Sequence, residues 1–334
     1  MTSPLHFLVT GGAGFIGSHL TDRLLADGHQ VTVIDNLSTG RLSNLDDAGH
    51  HEKFRFVHGS IIDEVLIDDL IRAADVVVHL AAAVGVELIV NEPLRSFLTN
   101  VRGSEVLIEH AHRYRKKILI ASTSEIYGKN TSDLLSETSD RVLGSPSIAR
   151  WSYSTSKAVD EILAFFYHRE RGLPTVVARF FNTVGPRQSP SYGMVIPRLT
   201  FQALRGEPIT VYGDGLQTRC FCHVADTVDA IVRLVENESA VGDVFNIGAG
   251  SEISMLDLAK GIVAKTNSAS EISLVPYEVA YPNGGFEDMR RRVPDTTKLR
   301  ALTGWTTTRD LDAILDETIT DVRRELNYRK PGHA

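Results

Sequence analysis

Short apolar runs recur along the first half of the chain, at residues 5–10, 31–34, 54–57, 76–80 and 118–121. Each is four to six residues long, a length that suits strands buried on both faces. Between them, apolar residues fall at helical spacing: Leu20, Leu24 and Leu25, then residues 62–71 and 94–112. Strand and helix alternate, which predicts an α/β fold with a doubly wound parallel sheet. In such a sheet a ligand lies beyond the carboxyl ends of the strands. Those ends supply Ser60 and Ile61, then Leu80, Ala81 and Ala82, then Ser122 and Thr123. Small side chains there leave room for a cofactor, and the hydroxyls of Ser122 and Thr123 are expected to face the crevice.

After Phe180 the pattern changes. Residues 193–205, 275–294 and a helix from about Leu311 predict a smaller lobe, whereas 223–247 reads as a helix and a strand returning to the first sheet. The expected division is therefore interleaved. Residues 1–180 with about 220–250 form a Rossmann-type domain, and about 181–219 with 251–330 form an α/β substrate-binding lobe.

Gly11-Gly12-Ala13-Gly14-Phe15-Ile16-Gly17 stands between the first strand and the first helix, and Asp35 closes the second strand eighteen residues after Gly17. Glycines at 11, 14 and 17 allow a tight turn, a close approach of backbone to a pyrophosphate, and close helix packing. Asp35 is placed to bond the adenosine ribose hydroxyls, and its charge repels a 2′-phosphate, so NAD is expected over NADP. Phe15, Ile16 and Asn36 complete this end of the expected cofactor site. Asn100, in the long helix, is either a further contact from that helix or a solvated side chain.

Ser122-Thr123-Ser124-Glu125 and Tyr153-Ser154-Thr155-Ser156-Lys157 carry the candidate chemistry. Tyr153 opens a helical pattern running to about Arg171, and a Lys four residues on shares its face. At a pKa of about 10, roughly one Tyr in a thousand is ionised at neutral pH, a handicap of about 4 kcal/mol. A neighbouring ammonium favours the phenolate, which makes Tyr153 a usable base for an alcohol proton. Glu125 has no evident part in a plain alcohol oxidation.

At these residues the chain resembles the nucleotide-sugar branch of the extended short-chain dehydrogenase/reductase family. The resemblance covers nearly the whole chain: the glycine turn, Asp35, His79-Leu80-Ala81-Ala82, Tyr153 with Lys157, Arg179-Phe180-Phe181-Asn182, Gly185-Pro186-Arg187, and Tyr212-Gly213-Asp214-Gly215 leading to Gln217-Thr218-Arg219. It implies that Thr123 bonds a sugar 4-hydroxyl, that Tyr153 takes its proton, that Lys157 holds the nicotinamide ribose, and that NAD takes the C4 hydride. The 4,6-dehydratases of the family carry an acid where this chain has Ser124, which disfavours dehydration. Ser122 to Gly128, Arg150-Trp151-Ser152-Tyr153, and Gly285-Phe286-Glu287-Asp288 leading to Arg292-Val293-Pro294-Asp295 resemble UDP-glucuronate decarboxylases. That resemblance places Glu125 and Arg292 near C5 and the sugar carboxylate. It implies a UDP-sugar substrate held by Ser124, Asn182, Arg187, Arg219 and Arg292, with Tyr212 either near the base or in the core. Two positions depart from the pattern: Met194 and Ser189 stand where related enzymes carry carboxylate-binding arginines, for which Arg290 and Arg291 are candidate substitutes. A 4-epimerase using the same Thr123, Tyr153 and Lys157 is the rival reading, with a 4,6-dehydratase behind it. A NAD-sensing regulator would be expected to have lost Tyr153 or Lys157.

Composition narrows the partners. The chain has 334 residues, 43% hydrophobic, with a net charge of −7, a balance that argues against a nucleic-acid surface. An anionic ligand must then be met by local cations. Cys220 and Cys222 are too few for a disulfide framework, which favours a reducing cytoplasmic setting, and with His223 they lack a fourth ligand, so no metal is expected. No stretch is apolar enough to span a membrane and no targeting leader is read at the N-terminus. Helices 94–112 and 153–171 have broad apolar faces, buried internally or, as the family resemblance implies, paired between the subunits of a homodimer.

Overall fold

The computed structural model describes residues 3–84, 92–190, 194–281 and 287–328. Its centre is a parallel sheet of seven strands: β1 His6–Thr10, β2 Gln30–Asp35, β3 Phe54–His58, β4 Val76–His79, β5 Lys117–Thr123, β6 Thr175–Phe180, and a late strand, Asp243–Ile247. Across the sheet the order is the late strand, then β6, β5, β4, β1, β2, β3. The order reverses between β1 and β4, whose pairing runs from Phe7↔Val76 to Thr10↔His79, and a crevice opens beyond their carboxyl ends.

Side-chain alternation divides the core into two layers. Phe7, Val9 and Leu119 pack with Leu20 and Leu24 of helix α1 (Phe15–Ala26) and with Val228 and Ile231. Leu8, Ile118 and Ile120 point the other way. They pack with Ile67 of α2 (Glu64–Ala73), Leu107 of α3 (Pro93–Arg113) and Ala164 of α4 (Arg150–Arg171). The long helix α4 starts at Arg150, so Tyr153 lies in its first turn and does not open it.

Residues 223–247 form a helix, Val224–Glu236, and then the late strand, which pairs with β6 from Asp243↔Val176 to Ile247↔Phe180, as the pattern predicts. A third apolar cluster gathers Ile196 and Leu199 of helix Val195–Arg205, Ile209 and Val211, Leu258 and Ile262 of helix Met255–Thr266, and Ile314 and Leu315 of helix Leu311–Tyr328. This cluster forms the far wall of the crevice. Parts of three quoted segments lie outside the described residues: Gly193 of 193–205, residues 282–286 of 275–294, and with them Gly285 and Phe286 of the Gly285-Phe286-Glu287-Asp288 string.

Candidate active site

One cavity of about 720 Å³ runs from the glycine turn to the far wall. The candidate site residues named from the sequence line it, with the exception of Asn100 and of the two candidate substitutes Arg290 and Arg291. The amide of Asn100 is buried: its Oδ1 accepts from Ala83 N at 2.7 Å and its Nδ2 donates to Ala83 O at 3.2 Å. Asn100 is therefore not solvated: from the long helix it faces the loop after β4 and pins the chain there.

The glycine turn has the close packing its spacing predicts. A Cβ on Gly17 would stand 2.3 Å from Gly11 O, and one on Gly11, at φ +71°, would stand 2.8 Å from Ala81 Cα. Gly14 is the N-cap of α1 and offers no side chain to its amides, which stay open to an anion. Asp35 Oδ2 accepts from Ala13 N at 3.0 Å and Oδ1 accepts from Leu37 N at 2.8 Å. The acid thus fixes the turn as well as facing the cavity, and each oxygen keeps a lone pair for a ribose hydroxyl. These residues fit a dinucleotide.

The hydroxyls at the end of β5 do not both face the crevice. Ser122 shares the parity of Ile118 and Ile120, so it points toward α4 and donates to Glu161 Oε1 at 2.5 Å. Glu161 in turn holds Arg179 through two bonds, at 2.8 and 2.7 Å. Thr123 alone reaches the site, where its hydroxyl is hydrogen-bonded to Tyr153.

Among the protein's own groups, the balance at Tyr153 favours the neutral phenol. Burial, then the charges of Glu125 and Asp160, push its pKa well above the usual 10, against the bond from Thr123. Lys157, also buried, donates to Asp160 Oδ2 at 3.0 Å. The ammonium is thus engaged by Asp160.

Five charged groups converge beside Tyr153. Arg292 Nη1 donates to Glu125 Oε1 at 2.6 Å, Arg150 Nη2 donates to the same oxygen at 3.1 Å, and Arg292 Nη2 donates to Asn182 Oδ1 at 2.7 Å. Arg219 Nη2 donates to Asp288 Oδ1 at 2.6 Å, and the Tyr277 hydroxyl donates to Asp288 Oδ2 at 2.7 Å. Burial alone would raise the Glu125 carboxyl, but Arg150 and Arg292 outweigh it and bring it down to about 2. Three guanidinium groups thus face two carboxylates, and Arg198, 4.4 Å from the Tyr212 ring centre, adds a fourth cation. The buried Nε of Arg292 has no partner among the described residues. An anion is the natural completion of such a set.

The structure redirects several other candidates. Arg187 has a backbone φ of +68° and donates from Nη1 to Asp22 at 2.7 Å and from its amide to Asp321 at 2.8 Å, so it is tied to α1 and the last helix, away from the arginine cluster. Arg290 pairs with Asp214 at 2.8 Å and Arg291 with Glu252 at 2.6 Å, both at the surface, and neither stands in for the missing arginines. Met194 and Ser189 line the cavity. Burial pushes the thiols of Cys220 and Cys222 up to about 12, and His223 caps a helix by accepting from Ala225 N.

Arg150, Asp288 and Tyr277 were not singled out as site residues from the sequence. A signal existed for the first two. Arg150 lies one helical turn before Tyr153, and the Arg150-Trp151 and Glu287-Asp288 strings meet in space through Trp151 Nε1 donating to Glu287 at 3.3 Å.

Comparison with known proteins agrees with this geometry. Residues 8–318 match the family model described as GDP-mannose 4,6 dehydratase. The chain is 41% identical over 300 residues to a UDP-N-acetyl-alpha-D-glucosaminuronate decarboxylase of Bacillus cytotoxicus, covering 88% of this chain and 90% of that one. It is 36% identical to UDP-glucuronic acid decarboxylase 1 of Xenopus tropicalis, covering 96% of this chain and 73% of that one. Among solved structures it superposes on UDP-glucose 4-epimerase of Thermotoga maritima in complex with UDP-glucose. The TM-score is 0.87 at 34% identity, over 96% of this chain and all of that one. UDP-glucuronic acid 4-epimerase of Bacillus cereus, bound to UDP-glucuronic acid and NAD, also gives 0.87, at 28% identity, with the same coverage. The chain belongs to the GDP-mannose 4,6-dehydratase family of extended short-chain dehydrogenase/reductase enzymes.

Proposed function

We propose that this enzyme decarboxylates UDP-glucuronate or a close UDP-hexuronate relative, using bound NAD. The observation that carries the reading is the Glu125–Arg150–Arg292 cluster beside Tyr153 and Thr123 in one cavity. Pure oxidation and return at C4 has no evident use for a buried carboxylate clamped by two arginines, whereas a sugar carboxylate needs such cations.

In this reading the turn from Gly11 to Gly17 holds the pyrophosphate, Asp35 the adenosine ribose, and Tyr153 and Lys157 the nicotinamide ribose. NAD supplies the hydride acceptor. Thr123 bonds the sugar 4-hydroxyl and Tyr153 removes its proton. The resulting C4 ketone lies β to the C6 carboxylate, so breaking the C5–C6 bond releases carbon dioxide and leaves its electron pair in an enolate. Tyr153 and Thr123 donate to that enolate oxygen. C5 then takes a proton from solvent, and the 4-keto pentose either regains the hydride and a proton at C4 to give UDP-xylose, with NAD restored, or leaves as the UDP-4-keto-pentose, with NADH as the second product. With a carboxyl near 2, Glu125 enters as a carboxylate that positions Arg150 and Arg292, not as a ready acid. Asn182 and Arg219 hold the diphosphate, and Tyr212 lies against the nucleoside. The interleaved division of the chain into a cofactor half and a sugar half follows the same reading. So does a homodimer through α3 and α4, where Leu94, Leu98, Ile162 and Phe166 are exposed.

A 4-epimerase is the second reading, favoured by Met194 and Ser189 in the cavity wall. Incubation with NAD and either UDP-glucuronate or UDP-N-acetylglucosaminuronate separates the two. Carbon dioxide and a UDP-pentose are expected. A six-carbon product inverted at C4, with no carbon dioxide, would establish the epimerase. In Glu125→Gln, reduced cofactor is expected to appear while pentose formation slows; equal losses in both would remove Glu125 from the steps after oxidation.

A further inference from the structure

Asp160 is a wholly buried carboxylate with no part in the reading above, and its Oδ1 has no hydrogen-bond partner among the described residues. Its other oxygen accepts from Lys157 Nζ at 3.0 Å, one helical turn away, and Lys157 itself is only 3% exposed. Burial raises the Asp160 carboxyl above its ordinary value, and Lys157, then the Ser104 hydroxyl of α3 behind the pair, favour its charge. Ser104 also bonds His79 Nε2 of β4 at 3.0 Å, and His79 Nδ1 bonds the Thr10 hydroxyl at 2.8 Å. Burial and then the Lys157 charge hold His79 well below its ordinary value, so this imidazole is neutral and offers no second cation. Glu161, next along α4, is committed to Arg179 and Ser122. Lys157 is therefore the cation that Asp160 serves.

A lysine has a long flexible stem, and when buried without an anion it sheds its proton. We propose that Asp160 is a positioning residue: from behind the site it anchors the Lys157 ammonium, charged and in place, where the nicotinamide ribose and Tyr153 meet. The anchor has an electrostatic cost. The same carboxylate opposes ionisation of Tyr153 across the helix, together with Glu125 and burial, while the bond from Thr123 favours it. Asp160 thus bears on both partners: it holds the Lys157 ammonium in place through the 3.0 Å bond and it opposes ionisation of Tyr153.

This inference rests on Tyr153 and Lys157 being the redox pair of the proposed function, and the test separates the two. The pH dependence of the first appearance of reduced cofactor is measured with UDP-glucuronate for the native enzyme, Asp160→Asn and Asp160→Glu. In Asp160→Asn the rise of the profile moves to lower pH, by about one unit, and the rate falls as Lys157 loses its anchor. Asp160→Glu, which keeps the charge, stays within a few tenths of a unit of the native profile while losing rate. An equal loss of rate at every pH, with neither limb displaced, would reduce Asp160 to a packing role and overturn the proposal. So would a displacement in Asp160→Glu as large as in Asp160→Asn. A second readout needs no turnover. With the Lys157 ammonium no longer held against the nicotinamide ribose, NAD binding measured by calorimetry is expected to weaken about tenfold in Asp160→Asn and to stay within about twofold of native in Asp160→Glu. No weakening in Asp160→Asn, or equal weakening in both, overturns the proposal. If the native enzyme oxidises neither uronate, the proposed function fails and NAD binding alone decides Asp160. If Asp160→Asn does not fold, Ser104→Ala is compared by the same binding; an affinity equal to native also counts against the anchor.

Discussion

Replacing Glu125 by Gln keeps its shape and removes its charge, and the structure fixes what should follow. Arg150 and Arg292 hold this carboxyl at about 2 in place of 4.5, against the opposing pull of burial. The side chain is only 18% exposed, so solvent screens the attraction little. A fall of that size corresponds to about 3 kcal/mol of folding stability. Because the folded value lies below the unfolded one, the contribution is complete above about pH 4.5 and disappears as pH falls toward about 2. Urea unfolding, followed by the fluorescence of the buried Trp151 and Trp305, should give Glu125→Gln a deficit of about 3 kcal/mol at neutral pH. The deficit should hold constant down to about pH 5 and narrow only below about pH 4.5. A deficit that closes between about pH 7 and pH 5 would place the titration of Glu125 in the range of a general acid, and the clamped-carboxylate reading would be wrong.

Three further outcomes are expected. Asp35→Ala removes the acceptor for Ala13 N and Leu37 N; NAD binding measured by calorimetry should weaken about 10- to 100-fold, as for the loss of a charge-assisted hydrogen bond, and unchanged affinity would dissociate Asp35 from the ribose. Gly17→Ala drives a methyl against Gly11 O, a backbone atom with no rotamer to yield; a loss of about 2 kcal/mol in thermal unfolding is expected, with NAD binding impaired as well. Arg292→Lys cannot keep the bonds to both Glu125 and Asn182; a rise in KM for the uronate of about tenfold or more is expected, and a KM equal to the native one would take Arg292 out of anion binding.

Much of the fold could be read from local pattern, because parallel strands covered on both faces are short continuous apolar runs with helices between them. The glycine turn was readable for a similar reason: its packing is backbone on backbone, and glycine is the residue type that permits it. The polar interior was harder. Ser122 and Thr123 are adjacent and chemically alike, yet strand parity sends one to Glu161 and the other to Tyr153. Arg187, Arg290 and Arg291 are plausible anion binders by residue type, but each is claimed by an acid distant in sequence: Asp22, Asp214 and Glu252. The state of Tyr153 depends on Asp160, which the Tyr-Lys spacing does not mention. A residue's charge can be read locally. Its partner, when more than 30 residues away, cannot be.

The last strand to join the sheet, Asp243–Ile247, lies more than 60 residues beyond β6, its neighbour. Most of the intervening chain builds the opposite wall of the cavity. As the protein is synthesised, β6 is therefore left with a bare edge while that other structure emerges, and open strand edges are the usual seeds of misassociation. A released chain ending anywhere between residues 181 and 242 would expose Thr175–Phe180 in this state. Supplying a peptide that spans residues 243–247 to an arrested or truncated chain would be expected to protect that edge. The arrangement that brings two distant parts of the chain around one cavity also makes the interval before the final strand the most vulnerable moment in the life of the protein.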